Sequence, residues 1–242
     1  MNIAILGYGK MGRLVEKVAV AAGHSITVII DSEEDWRAKV GDLRNADVAI
    51  DFSMPSVAAR NIMRSFSNNV PIVAGTTGWL DKMGEIEEER KRVSGRLLYG
   101  ANFSIGVNIL FKINRQLAEM MDKYGDYSVA MRETHHIHKK DAPSGTAIHL
   151  AQDIIGCVDR LDNWKLADGE TNVNVIPIEA VREGEVPGTH EIVWSSDVDC
   201  IELKHVAFNR EGFARGAVMA AGWLVGRQPG TYEFSQVFDS IQ

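Results

Sequence analysis

MNIAILGYGKMG, residues 1–12, decides the fold of this chain. Ile3–Leu6 is a short apolar run that ends in glycine, as a buried parallel strand does. The glycines follow the spacing G-x-G-x-x-G, and Arg13–Ala22 continues with apolar residues at helical intervals. A glycine loop of this spacing between a strand and a helix is the fingerprint of a dinucleotide-binding fold.

Each glycine of that loop has a separate task in binding a dinucleotide. Gly7 permits the tight turn, Gly9 lets the backbone approach the pyrophosphate, and Gly12 lets the helix pack closely on the strand. The free amides and the partial positive charge of the helix N-terminus then attract the phosphates. Asp31 ends the next predicted strand, about 20 residues beyond the glycines, where a carboxylate accepts hydrogen bonds from the ribose hydroxyls.

Asp31 also bears on the choice of cofactor. Its carboxylate repels the 2′-phosphate of NADPH, and the following residues, Ser32-Glu33-Glu34-Asp35, supply no arginine that could bind this phosphate. We therefore expect NADH to be preferred over NADPH.

The first half of the chain alternates between strand and helix patterns. This alternation predicts a Rossmann-type doubly wound parallel sheet, an α/β fold. Gly75-Thr76-Thr77-Gly78 closes the fourth strand, and it suits either a contact with the nicotinamide ribose or ring or an ordinary strand–helix turn. The predicted strands are Ile3–Leu6, His24–Ile30, Ala46–Phe52, Val70–Ala74 and Leu97–Ala101, and the predicted helices are Arg13–Ala22, Val57–Phe66 and Glu85–Val93.

The pattern changes near Phe103, where long strands and fewer helices follow. We expect a second, α+β domain with an open mixed sheet at residues 103–212. We expect residues 1–102 to form the dinucleotide-binding domain, completed by the C-terminal helix and the rest of residues 213–242. The predicted elements of this half are helices Val107–Met121, Ile148–Ile155 and Ala214–Val225 and strands Tyr127–Thr134, Val173–Arg182 and Glu191–Ala207.

Composition narrows the range of partners. The formal net charge is −7, so neither nucleic acid nor an anionic membrane is expected as the main partner. No run of about 18 apolar residues predicts a membrane span, and MNIAILGYG lacks the basic start of a signal peptide. Cys157 and Cys200 do not form a CxxC pair, which favours reduced thiols in a cytoplasmic protein.

Positive and titratable side chains gather at residues 133–147, which read ETHHIHKKDAPSGTA. A solvated loop is the plainest interpretation. A metal site is not expected, because alternate side chains of an extended segment point to opposite faces, so His135, His136 and His138 cannot all face one ion. No Cys, Asp or Glu has a spacing that would complete a common site. The third interpretation is a site that binds an anion and moves a proton, since histidine titrates near neutral pH.

The second part of that segment has the features of a helix N-terminus that receives a carboxylate. Pro143 is tolerated in a first helical turn. Gly145 and Thr146 would then present backbone amides, with the Thr146 hydroxyl beside them, and Lys139 adds a cationic donor. Together with the cofactor loop, the segment predicts reduction of a substrate that carries carboxylates.

HHIHKKDAPSGTA resembles the signature of the dihydrodipicolinate reductase family, H-H-x-x-K-x-D-A-P-S-G-T-A, at every fixed position. The resemblance extends over nearly the whole chain, in family order, through GYGKMG, DFSMP at 51–55, GTTG at 75–78, ANFSIGVN at 101–108, EVPGTHEI at 185–192 and the terminal FARGAVMAAGWLVG. It implies nicotinamide-dependent reduction of 4-hydroxy-tetrahydrodipicolinate, a dicarboxylate of diaminopimelate and lysine biosynthesis. It also implies that the second domain binds the substrate and assembles the chain as a homotetramer.

The resemblance assigns roles to individual residues as well. His135 and Lys139 match the two candidate proton donors, and the sequence does not choose between them. His136, Gly145 and Thr146 match substrate-binding positions. The positions that match cofactor contacts are Gly7, Tyr8, Gly9, Lys10, Met11, Gly12, Asp31, Gly75, Thr76, Thr77, Tyr99, Gly100, Ala101 and Asn102.

The chain departs from the family pattern in its length and at one residue, and two other functions would require different residues. The chain is shorter than the family norm, mainly between Asp31 and Asp47, near the expected ribose pocket, and Ser32 stands where relatives often carry an arginine. A dehydrogenase that acts on aspartate or a sugar would lack the H-H-x-x-K and S-G-T residues. A non-catalytic NAD(H)-binding protein would have lost both proton donors, and both are present.

Overall fold

A computed structural model describes residues 1–169 and 172–239 of the 242-residue chain. The chain forms two compact units, one made of Met1–Ile105 together with the chain from Glu211 onward, and the other of Gly106–Arg210. The last residues of the expected C-terminal segment, 240–242, lie outside the described residues. Among the described helices, none combines the length and the hydrophobicity that a bilayer crossing requires.

The first unit opens with alternating strands and helices. Helix α2 was not predicted, because its sequence is mostly charged and only Trp36 and Leu43 are buried. Ser32 starts that helix by accepting a hydrogen bond from the Asp35 amide at 3.1 Å. The elements are β1 (Asn2–Leu6), α1 (Lys10–Ala21), β2 (Ser25–Ile30), α2 (Glu33–Leu43), β3 (Val48–Asp51), α3 (Pro55–Ser67), β4 (Ile72–Ala74), α4 (Met83–Val93) and β5 (Arg96–Tyr99), with a short 3-10 helix at Leu80–Lys82.

The second unit is built on a five-stranded sheet. Its elements are α5 (Ile105–Met121), β6 (Ser128–His135), α6 (Gly145–Ile155), β7 (Asn163–Leu166), β8 (Val175–Arg182), β9 (Gly188–Ser195) and β10 (Cys200–Ala207). The strand order is β10-β9-β6-β8-β7, in which β6 is antiparallel to β9 and parallel to β8. One face of this sheet shares an apolar core with α5 and α6.

The predicted single strand Glu191–Ala207 is wrong, because the chain turns within it. The amide of Ser196 donates to the carbonyl of Asp199 at 3.0 Å, and the Ser196 hydroxyl accepts from the amides of Val198 and Asp199. Short polar side chains that bond to nearby backbone favour turns. The apolar alternation continues before and after the turn, so the sequence pattern predicted one uninterrupted strand. The four-residue strand β7 was also missed.

The C-terminal segment returns to the first unit as α7 (Glu211–Val225), β11 (Gly230–Glu233) and α8 (Ser235–Asp239). Strand β11, which was not predicted, pairs in parallel with β5 and completes a six-stranded sheet of order β11-β5-β4-β3-β1-β2. Apolar side chains of α1 and α7 cover one sheet face, and those of α2, α3 and α4 cover the other. The predicted fold class, a Rossmann-type doubly wound parallel sheet plus an α+β part with an open mixed sheet, is confirmed.

Candidate active site

The glycine loop lies at the carboxyl ends of β1 and β3, where the strand order reverses. Such a switch point is where open α/β sheets bind ligands. Gly7 has φ +85°, and a Cβ there would lie 2.6 Å from the carbonyl oxygen of Phe52. A Cβ on Gly12 would lie 2.1 Å from the carbonyl oxygen of Gly7, whereas one on Gly9 would meet nothing within 4 Å. Gly7 and Gly12 are therefore required by packing, and Gly9 leaves open space beside the loop.

Three contacts hold Tyr8, which lies between the first two glycines of the loop. The Tyr8 amide donates to Asp31 Oδ1 at 2.6 Å, which ties the loop to the end of β2. The Tyr8 hydroxyl donates to the Glu16 carboxylate, and the Arg13 guanidinium lies 4.5 Å from the centre of the Tyr8 ring. Helix α1 begins at Lys10 without a hydrogen bond from any described side chain to its N-terminus. Its first amides therefore have the orientation and the charge to receive a phosphate.

The loop after β4 is held from within by Asp51, a fully buried carboxylate at the end of β3. Thr76 Oγ1 donates to Asp51 Oδ2 at 2.6 Å and accepts from the Ser53 amide at 2.8 Å. Burial raises the pKa of Asp51 even though Thr76, Asn61 and Ser53 donate hydrogen bonds to it. The Thr76 hydroxyl is thus engaged inside the protein, and the exposed hydroxyl of this loop belongs to Thr77.

The segment after β5 is fastened to the C-terminal segment. The Tyr99 hydroxyl donates to Glu233 at 2.8 Å, and burial together with this carboxylate raises the pKa of Tyr99 to about 12. A Cβ on Gly100 would lie 2.9 Å from the Cβ of Phe234, and Asn102 accepts a hydrogen bond from the Ser104 amide. Ala101 is exposed. All the predicted cofactor residues therefore lie along the carboxyl edge of one parallel sheet.

In the second unit, Glu133 is the centre of a buried polar network at the end of β6. The whole residue is 1% exposed. Its two oxygens lie 3.0 and 3.1 Å from the Ser144 amide, and Oε1 accepts from Arg182 at 3.0 Å. Oε2 lies 3.5 Å from His135 Nδ1 and 3.9 Å from His190 Nε2. Burial raises the pKa of Glu133, but the hydrogen bonds from Ser144 and Arg182 outweigh it, so the pKa lies below its usual value.

Burial favours the neutral form of both buried histidines of this network. Burial lowers the pKa of His135, and Lys139 and Arg182 lower it further, against the opposing charge of Glu133. Burial also lowers the pKa of His190, to about 4. Neutral imidazoles held beside a carboxylate are suited to exchanging protons with a bound molecule.

Lys139 is ion-paired. Its Nζ lies 2.9 Å from both oxygens of Asp141, and Arg182 donates to the carbonyl oxygens of Lys139 and Asp141. A substrate carboxylate that binds Lys139 would therefore share it with Asp141 or replace Asp141. His136 is partly buried, and His138 is exposed, 3.5 Å from Glu185.

The expected helix N-terminus is present, and the helix begins three residues before the predicted start at Ile148. Helix α6 starts at Gly145, and Ser144 takes the capping position by accepting from the Ala147 amide at 3.2 Å. Pro143 therefore precedes the cap, and its predicted place in the first turn is wrong. Gly145 is exposed and Thr146 partly buried, beside the network around Glu133.

Glu133, Arg182 and His190 were missed from the sequence. Glu133 could have been found, because it stands two positions before His135 on one strand and so shares its face. The other two depend on strand pairing: Arg182 is the register partner of His135, and His190 is that of Glu133.

Position on β6 and the pairing of β6 with β9 together form a cluster of one carboxylate and two imidazoles. Ligand atoms of Glu133, His135 and His190 all lie within 4.8 Å of one another. The Arg182 guanidinium, 3.0 Å from Glu133, already supplies this carboxylate with the positive charge that a metal ion would bring.

A Rossmann-type sheet with a dinucleotide loop, together with buried histidines and a lysine beside a helix N-terminus, defines a nicotinamide-dependent oxidoreductase. Residues 1–103 match the family model described as dihydrodipicolinate reductase, N-terminus, and residues 106–238 match that described as dihydrodipicolinate reductase, C-terminus. The chain belongs to the dihydrodipicolinate reductase family.

Individual relatives agree with this assignment. A 4-hydroxy-tetrahydrodipicolinate reductase of Christiangramia forsetii is 45% identical over 224 residues, which are 93% of this chain and 92% of the relative. One of Rickettsia bellii is 35% identical over 245 residues, with 100% and 96% covered. A dipicolinate-bound dihydrodipicolinate reductase from Paenisporosarcina sp. TG-14 has a similar fold, with a TM-score of 0.76 at 21% identity over 96% of this chain and 97% of the other.

Proposed function

We propose that this chain reduces 4-hydroxy-tetrahydrodipicolinate with a nicotinamide cofactor, in diaminopimelate and lysine biosynthesis. The observation that carries the proposal is the grouping of His135 with Lys139 and with Glu133, which also binds the amide of the α6 cap residue Ser144, in a chain of this family. We assign cofactor binding to residues 1–102 with the C-terminal segment 213–242, and substrate binding to residues 103–212. The fixed amides and cations of the second unit suit a doubly anionic ring.

The proposed mechanism gives each group of the second unit one task. The substrate first loses its 4-hydroxyl and a proton of the adjacent ring carbon as water, which leaves a C=C bond conjugated with the ring imine. Bound NADH or NADPH would supply a hydride to C4 of this conjugated ring. Gly145 and Thr146 bind one substrate carboxylate, and His136 contacts the substrate beside them. The hydride transfer produces an enamine-like anion, which the positive charge of the donor side chain stabilises. His135 or Lys139 then gives a proton to the ring carbon adjacent to C4.

Turnover with the product of the upstream condensation reaction tests this function. We expect the absorbance of reduced nicotinamide to fall only when enzyme and condensation product are both present. A purified protein that binds NADH but does not oxidise it with this substrate would be a sensor and would contradict the proposal.

We further propose that NADH is preferred over NADPH. Asp31 is exposed at the end of β2. Three cations of this region are paired with other carboxylates: Arg60 and Arg64 lie 2.7 and 2.8 Å from Glu33, and Lys39 lies 2.6 Å from Asp35. Two like charges about 4 Å apart in water repel by about 1 kcal/mol, so kcat/KM should favour NADH about fivefold or more.

Steady-state kinetics with both cofactors measures this ratio. The variant Ser32→Arg is the matched test, because it adds a cation beside Asp31 and should move the ratio toward NADPH. A wild-type enzyme with the higher kcat/KM for NADPH would refute the preference.

We also propose that the chain assembles as a homotetramer through its second unit and works in the cytoplasm. Strand β10 is an edge of the five-stranded sheet and carries the exposed apolar residues Ile201 and Val206. An exposed edge strand with apolar side chains favours contact with another chain.

A further inference from the structure

We propose that Glu133 is a positioning residue that orients the His135 imidazole through Nδ1 and, with the same carboxylate, holds the N-terminus of α6. The Glu133 carboxylate would then be a common anchor, because it would hold both the imidazole that moves the proton and the helix that receives the substrate carboxylate. The inference rests on the proposed function only for the roles of His135 and α6.

The first contact of this anchor is with His135. His135 is 7% exposed, and its Nδ1 is buried without a hydrogen-bond partner among the described residues. Glu133 Oε2 is 3.5 Å away, so a small rotation of the ring would complete a bond from Nδ1–H to the carboxylate. Such a bond selects one tautomer and leaves Nε2 to act on a ligand. On the other edge of the ring, a Cβ on Gly188 would lie only 3.1 Å from Nε2, so this glycine leaves room for the imidazole.

The second contact is with the helix that follows. Both oxygens of Glu133 lie within hydrogen-bond distance of the Ser144 amide, at 3.0 and 3.1 Å. Ser144 in turn caps α6, and its Oγ lies 3.3 Å from His190 Nε2. The carboxylate therefore sets the position of the residue immediately before Gly145.

The charges around His135 allow a positioning role of Glu133 to be distinguished from a purely structural one. The ionised groups that act on His135 are Glu133 from its own strand, Lys139 and Asp141 from the following loop, and Arg182 from β8, with His190 facing it from β9. Glu133 favours the imidazolium, whereas Arg182 opposes it. Removing the charge of either residue breaks the same 3.0 Å ion pair but changes the field at His135 in opposite directions.

The experiment compares Glu133→Gln with Arg182→Gln. We expect the pKa of His135 to fall in Glu133→Gln and to rise in Arg182→Gln. The measurement is a proton–carbon NMR titration of histidine-labelled full-length protein without substrate, with the His135 signal assigned from its loss in His135→Gln. The control is Glu179→Gln, which breaks the exposed pair Arg132–Glu179, 3.3 Å apart on β6 and β8, and should leave the His135 titration unchanged.

Kinetics supply the second readout. General acid catalysis contributes roughly 100- to 10,000-fold, so a misplaced donor in Glu133→Gln should lower kcat at least about tenfold. Shifts of the same sign in both variants, or no shift in either, would overturn the proposal. If Glu133→Gln does not fold, the Arg182→Gln variant decides by itself. An unchanged or lowered pKa of His135 in that variant would overturn the proposal. A wild-type protein without reductase activity but with opposite shifts would refute the proposed function and leave the positioning role intact.

Discussion

His135→Gln should lower kcat by about 100- to 1,000-fold while changing KM much less, as expected when a group acts mainly in the transition state. Glutamine retains polar contacts near the position of the imidazole but cannot carry the proton. His135 is a buried histidine on which both Glu133 and Lys139 act. Steady-state kinetics with saturating cofactor measures both constants.

The pH dependence of kcat/KM is a second test of His135. If the imidazolium of His135 is the proton donor, kcat/KM should fall as pH rises through the pKa of His135. Because burial lowers that pKa, the fall should begin at a lower pH than for an ordinary histidine. The falling limb should be absent in His135→Gln and present in the control His138→Gln, whose side chain is exposed. Near-normal turnover of His135→Gln would show that the residue has another role.

Lys139→Ala should also lower kcat strongly, by about 100-fold, with a smaller effect on KM. Its ammonium group acts on His135, and Asp141 fixes it through two 2.9 Å contacts. The matched control is Lys140→Ala, which removes an exposed lysine at the next position. Equal losses in the two lysine variants would indicate a general effect of charge and contradict a specific role for Lys139.

Lys139→Ala also tests which group donates the proton. Lys139 lowers the pKa of His135, so its removal should move the falling limb of kcat/KM to higher pH if His135 is the donor. A limb that disappears in Lys139→Ala and persists in His135→Gln would instead assign the proton to Lys139.

Local patterns predicted most elements because each depends on residues close in sequence. The glycine loop between β1 and α1 and the apolar runs of β3 and β4 are of this kind. Elements without a strong apolar period were missed, such as the charged helix α2 and the four-residue strand β11. The latter is stabilised by pairing with β5, which lies more than 100 residues earlier, and local sequence does not encode that pairing.

The residues of the candidate site differ in the same way in how far the sequence predicts them. His135, Lys139 and Gly145 could be predicted because they belong to one continuous segment. Arg182 and His190 could not, because they reach Glu133 only through the register of β8 and β9 against β6. The pairing of Lys139 with Asp141 was also open, since side-chain charges two residues apart have many possible partners.

The sequence by itself determined the fold class, the dinucleotide loop and the segment that carries the two proposed proton donors, because short-range spacing dictates backbone conformation and side-chain chemistry. Only the tertiary structure decided that Glu133 is buried between His135, Arg182, His190 and the Ser144 amide. The physical reason is that protonation depends on burial and on charges a few ångströms away. Strand pairing brings those charges together from distant parts of the chain.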